Sequence, residues 1–147
     1  MNFQTLESVR EYLDDIPCIN SGGCTVSMLA MYRWLKLQGE KSDMMYLYRN
    51  GSTYLFSTNE ACLNGELDSP NSCSHAMLFY NGKYIDSEEE FNTLPEKYPK
   101  SHILPEHLVV ASLNYDVWND AFNRRWIRII EEKLNINLSD ILITPIW

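Results

Sequence analysis

The sequence predicts an α+β domain in which a central N-terminal helix packs on an antiparallel β-sheet and a long C-terminal helix closes the chain. Three observations predict it. Apolar residues recur at helical spacing near both ends of the chain. The middle switches to short apolar runs flanking two Asn-Gly turns. No domain boundary, further repeat or low-complexity segment divides the 147 residues, so 1–147 reads as one domain. A hydrophobic fraction of 45%, with nine Tyr, five Phe and four Trp, is enough for one buried core and excludes a disordered chain.

The elements follow in order. Thr5 to about Asp15 reads as a short helix capped by Thr5, with Leu6, Val9, Tyr12 and Leu13 on one face and Pro17 ending the run. Residues 16–23 are a loop, since Pro, Asn, Ser and two Gly cannot sustain a helix. A second helix runs from about Cys24 to Gln38, where Gly39 stops it. Val26, Met28, Leu29, Ala30, Met31, Tyr32, Trp34, Leu35 and Leu37 cover nearly its whole circumference, which places it at the centre of the fold. Met44 to Tyr48 is a strand, Asn50-Gly51 a turn and Thr53 to Ser57 a second strand, together an expected hairpin. Thr58 to Asn71 reads as a long surface loop. His75 to Tyr80, Asn81-Gly82 and Lys83 to Ser87 form a second hairpin. Glu88-Glu89-Glu90 begins a loop or short helix leading into Pro95 to Pro99, and Pro105 opens a brief helix through Ala111. The last helix runs from about Asp116 to Leu134 with Val117, Trp118, Ala121, Phe122, Trp126, Ile129, Ile130 and Leu134 in one core-facing stripe. Ile141-Leu142-Ile143 is a candidate final strand.

Composition excludes several function classes. Twelve basic against 20 acidic residues give a net charge of −8, which argues against a nucleic-acid partner. The one basic cluster, Arg124, Arg125 and Arg128, shares its helix with Glu131 and Glu132 and reads as a solvated face. No run of about 18 apolar residues suggests a membrane span, and the N-terminus has neither the basic start nor the apolar run of a signal peptide. A cytoplasmic protein is expected. Cys18, Cys24, Cys62 and Cys73 then read as free thiols. Neither Cys73-x-His75 nor His102-x4-His107 matches a zinc-binding spacing, so no metal or organic cofactor is expected.

Cys24 is the candidate chemical centre. It follows Ser21-Gly22-Gly23 and opens an apolar helix, where free N–H groups and the helix dipole favour a thiolate. The two glycines let the backbone turn tightly and approach a substrate. A catalytic thiol needs a base, and the base an orienter. His75 heads a strand, and Asp86 lies on the returning strand. With Asn81-Gly82 as a two-residue turn, Asp86 falls opposite Met77, so His75 and Asp86 share a face as diagonal neighbours. Glu88 is a rival orienter. His102 and His107 are rival bases with only Glu106 nearby. Cys18, Cys62 and Cys73 open no helix after glycines.

Gly-Gly-Cys opening an apolar helix, His heading a strand, and Asn-Gly-Lys-Tyr-Ile-Asp after it resemble the papain-like cysteine peptidase superfamily, nearest its transglutaminase-like and NlpC/P60-like branches. The resemblance spans roughly residues 18–87. It implies a nucleophile-bearing central helix on an antiparallel sheet that carries His75 and then Asp86. Where papain-type enzymes place a Gln six residues before the nucleophile, this chain has Cys18, so Asn20 or Ser21 would stand in as oxyanion donor beside the Cys24 amide and Gly23.

The expected function is cysteine hydrolysis or acyl transfer on an amide, peptide or isopeptide bond of a peptide or protein substrate, with no membrane partner. The alternative is a non-enzymatic acidic binding or inhibitor module on the same fold, which the charge favours.

Overall fold

The computed structural model describes residues 3–17, 19–20, 23–67, 70, 73–114 and 120–141. Helix α1, Leu6–Asp14, starts at Thr5, whose hydroxyl accepts from Ser8 N–H while Ser8 reaches back to the Thr5 amide. This reciprocal cap satisfies two donors of the first turn, and Val9 and Leu13 are buried behind it. Helix α2, Cys24–Leu37, buries residues on most sides, from Val26 to Met31 and at Trp34 and Leu35. It packs against α1 and against two strands and two helices described below, so tertiary packing rather than capping holds it. Gly39, at φ +80°, ends it, and Glu40 N–H closes back onto Leu35 C=O.

The sheet is antiparallel. Strands β1, Asp43–Tyr48; β2, His75–Tyr80; β3, Lys83–Ile85; β4, Glu90–Phe91; and β5, Lys100–Leu104, lie in the order β4-β3-β2-β1-β5. The second hairpin has the expected register, Tyr80 opposite Lys83 and Leu78 opposite Ile85. Asn81 and Gly82 both take positive φ, the tight turn whose twist suits paired strands.

The first hairpin is not formed. Thr53–Leu63 is a helix, α3, which replaces both the expected strand at 53–57 and the first part of the expected loop at 58–71. Leu55, Phe56, Asn59, Cys62 and Leu63, its inward residues, repeat at helical spacing. The edge of β1 that the strand would have occupied is taken by β5, with Tyr46 opposite His102. Phe56 instead packs edge-on to Tyr48 and stacks on His102. Residues 88–90 lead into the short edge strand β4 rather than into a helix, and β5 follows the Pro95–Pro99 stretch where no element was expected.

Helix α4, Glu106–Asn114, begins at Pro105 as expected and extends beyond Ala111. Helix α5 is described over Asp120–Leu134, and Trp126, Ile130 and Leu134 of its predicted stripe are buried. The start expected at Asp116, with Val117 and Trp118, and residues 142–143 of the expected last strand lie outside the described residues. Ile141 itself closes a 3-10 turn, Ser139–Ile141.

The sheet has two unlike faces. Met44, Tyr46, Tyr48, Ala76, Leu78, Ile85 and Leu104 join the helices in the main core. Met45, Leu47 and Met77 face the other way and are covered by Tyr98, with Phe79, Tyr84, Phe91 and Leu94 around them. Among the described residues no helix is long and apolar enough to cross a membrane.

Candidate functional site

His75 is the first residue of β2 and pairs with Leu47. Strand alternation puts its side chain on the Met77 face, where Tyr84 and, one step past β3, Asp86 also point. The two side chains meet: His75 Nε2 lies 2.8 Å from Asp86 Oδ2. The diagonal relation read from the turn therefore brings them within hydrogen-bond reach. The other carboxylate oxygen accepts from the Glu88 and Glu89 amides, each at 2.8 Å. Glu88 thus meets Asp86 through its backbone N–H, and the carboxylate bonded to His75 is that of Asp86. Tyr98 stacks on the imidazole with ring centres 5.5 Å apart and planes 13° from parallel, which fixes the ring from its face.

Cys24 stands at the first position of α2, half-buried. Its sulfur lies beside His75, the Ala76 N–H and the Thr25 hydroxyl, close enough for each to stabilise its charge. Since Nε2 of His75 is committed to Asp86, Nδ1 is the ring nitrogen free to take up a proton from Cys24. The three residues singled out in the sequence, Cys24, His75 and Asp86, thus lie together at the end of β2, His75 bonded to Asp86 and adjacent to Cys24.

The electrostatics favour a thiolate–imidazolium pair. Burial opposes charge on Cys24, but the His75 hydrogen bond and positive charge, then Ala76 and Thr25, outweigh it and hold the thiol below its ordinary value. Burial likewise opposes the imidazolium, but the hydrogen bonds to Asp86 and Cys24 push His75 up to about 10. Asp86 is raised by burial yet ends below the usual carboxylate range because His75 and the two backbone amides stabilise its charge. The side chains of His75 and Asp86 are only 24% and 12% exposed, so water screens their attraction weakly.

The oxyanion candidates sit as follows. Gly23 N–H donates to Ile19 C=O at 2.8 Å and so is engaged within the loop. Gly23 enters the site through its size: a Cβ there would lie 2.3 Å from Ile19 O. The close approach its sequence position suggested is to Ile19, and its φ of −96° needs no glycine. Asn20 donates from Nδ2 to Asp14 and accepts at Oδ1 from the Ser87 hydroxyl. Cys18 and Ser21 lie outside the described residues. Gly23 gives α2 no side-chain cap.

The other candidates are elsewhere. His102 stacks on Phe56, 4.2 Å between centres, and His107 is exposed on α4. Cys62 is buried in α3. Burial, then the Cys24 charge, raises Cys73 well above an ordinary thiol, so it stays protonated. Among the described residues no three His, Cys, Asp or Glu side chains are grouped to hold a metal ion. Two surface cavities, of about 330 and 460 Å³, lie at the C-terminal end of α2 beside Trp34 and Lys36, a helix length from Cys24. Tyr98, Ser87, Thr25 and Ala76, which surround the three side chains, carry no signal in the sequence that marks them for the site. No family model, curated protein or solved structure matches this chain.

Proposed function

We propose that this chain is a cysteine hydrolase or acyl-transfer enzyme of papain-like type, acting on an amide, peptide or isopeptide bond. The observation that carries the reading is His75 hydrogen-bonded to Asp86 on one side and set beside the Cys24 sulfur on the other. An inert core thiol needs neither partner. The acidic binding-module reading gives this half-buried charged pair no task.

The Cys24 sulfur attacks the substrate carbonyl carbon, and the C=O electron pair moves to oxygen. The Cys24 amide, in the uncapped first turn of α2, supports that oxyanion. His75 gives its proton to the departing amine as the C–N bond breaks, leaving an acyl thioester. Water or a second amine then attacks the thioester, His75 takes its proton, and the thiolate leaves. Asp86 keeps the imidazole oriented throughout and stabilises its charged form.

Iodoacetamide labelling at pH 6, read by peptide mass spectrometry, tests the proposal. Cys24 is expected to react far faster than Cys18, Cys62 and Cys73, and His75→Ala to remove the difference. Uniformly slow labelling of all four thiols would overturn the enzyme reading in favour of the binding module.

A further inference from the structure

The triad carboxylate is not held by His75 alone. Asp86 begins a tight loop, its N–H donating to Glu89 C=O while the Glu88 and Glu89 amides return to its Oδ1. Two contacts from outside fix that loop. Arg10 of α1 donates from Nη1 to Glu88 C=O at 3.0 Å and reaches Ser87 C=O at 3.5 Å. Ser87, only 3% exposed, donates its hydroxyl to Asn20 Oδ1. Asn20 in turn donates to Asp14 at 2.8 Å, and it lies one residue after Ile19, the residue that receives Gly23. One chain of hydrogen bonds thus joins the segment before Cys24 to the segment after Asp86. The two segments are 67 residues apart in sequence.

We infer that Ser87 and Asn20 are positioning residues: their hydrogen bond locks the Asp86 loop to the nucleophile loop and so sets the alignment of Asp86, His75 and Cys24. This rests on the cysteine-hydrolase reading and deepens it. It also gives Asn20 a role other than oxyanion donor, because its carbonyl oxygen and one amide hydrogen are already engaged. A buried serine hydroxyl beside a catalytic carboxylate has a purely structural alternative, in which its loss would weaken the fold and leave the chemistry of Cys24 unchanged.

The test is the pH profile of Cys24 alkylation by iodoacetamide in the full chain, measured with the melting temperature, for Ser87→Ala, Ser87→Thr and Asn20→Ala. One such hydrogen bond is worth about two- to tenfold in an equilibrium. Ser87→Ala and Asn20→Ala are therefore each expected to slow alkylation at pH 6 by about that factor and to converge with the wild type at high pH. Ser87→Thr, which keeps the hydroxyl, is expected to retain the wild-type profile. A lowered melting temperature with an unmoved profile in both alanine variants would overturn the inference. Should Ser87→Ala fail to fold, Asn20→Ala decides alone, because it cuts the same bond from an exposed side chain. If wild-type Cys24 reacts no faster than Cys62 and Cys73 at pH 6, the hydrolase reading itself fails and the positioning role falls with it.

Discussion

Replacing Asp86 by Asn isolates the electrostatic part of the site, because it keeps shape and an acceptor oxygen while removing the charge. His75 is held at about 10 against an ordinary 6.5. That corresponds to about 5 kcal/mol in favour of the imidazolium, reached against the opposing effect of burial. Among the favourable contributions the Asp86 hydrogen bond comes first and Cys24 second. A hydrogen bond to a charged group is worth about 1.5–3 kcal/mol, so Asp86→Asn is expected to weaken the hold on the His75 proton by about ten- to hundredfold. The loss propagates to Cys24, whose thiolate is supported by His75. The assay is the iodoacetamide rate at Cys24 from pH 4 to 10. In the wild type the thiolate–imidazolium pair forms as pH rises through the depressed Cys24 value, and it is lost as pH rises through about 10 at His75. In Asp86→Asn the rate at pH 6 is expected to fall about tenfold or more. The two proteins should converge near pH 10, where the thiol is ionised in both. Superimposable profiles, with the fold intact by circular dichroism, would refute the argument that Asp86 maintains the pair.

Three further outcomes follow from the packing and the ion pairs. Gly23→Ala would place a Cβ 2.3 Å from Ile19 O, so the loop must shift; a loss of about 1–3 kcal/mol in urea unfolding is expected together with slower Cys24 alkylation, and an unchanged midpoint would contradict the close approach. Arg33, 14% exposed, forks onto Asp140 and also reaches Glu106 and Asn137 C=O, tying α2 to α4 and the last turn. Because the Asp140 side chain is half exposed and screened, Arg33→Met is expected to cost only about 1–2 kcal/mol, whereas Lys36→Met, on an exposed chain, should leave the urea midpoint unmoved. Asp86, Glu106 and Asp140 all have folded values below their ordinary ones, so their stabilisation is complete above about pH 5 and is lost as pH falls through the folded values; the melting temperature should drop on acidification, and less steeply in Asp86→Asn.

The candidate site was more legible in the sequence than the sheet around it. Asn81-Gly82 fixes a two-residue turn, the turn fixes the register, and the register fixes which residues share a face with His75. Each step is local and has few alternatives. The Asp86 loop is local too, but Arg10 and Asn20 reach it from about seventy residues away, and no short pattern encodes that. Thr53 to Ser57 misled because Tyr, Leu and Phe suit a strand over five residues. The helical period shows only when the window extends to Asn59 and Cys62, which are buried one and two turns on from Leu55. Strand β5 was illegible for the opposite reason: Lys100-Ser101-His102 carries no apolar alternation, and the strand exists because the far edge of β1 is buried and needs pairing.

The start of α2 shows packing and chemistry asking for the same residue. A Ser, Asn or Asp at the N-cap would stabilise the helix by about 1 kcal/mol through its side chain. At position 23 any side chain meets Ile19 O first, so only glycine fits, and the cap is forgone. Gly23 consequently offers the first-turn N–H groups no side-chain acceptor, at the end of the helix where Cys24 carries its sulfur. A capping carboxylate there would also have set a negative charge beside the thiol and opposed its ionisation. The contact that excludes a cap thus keeps the positive end of α2 open to the thiolate and to an incoming carbonyl oxygen. Gly23 is therefore required by the Ile19 contact whether or not a substrate ever binds, and its presence alone would not have distinguished a catalytic helix from an inert one. The catalytic reading rests instead on the grouping of Cys24, His75 and Asp86.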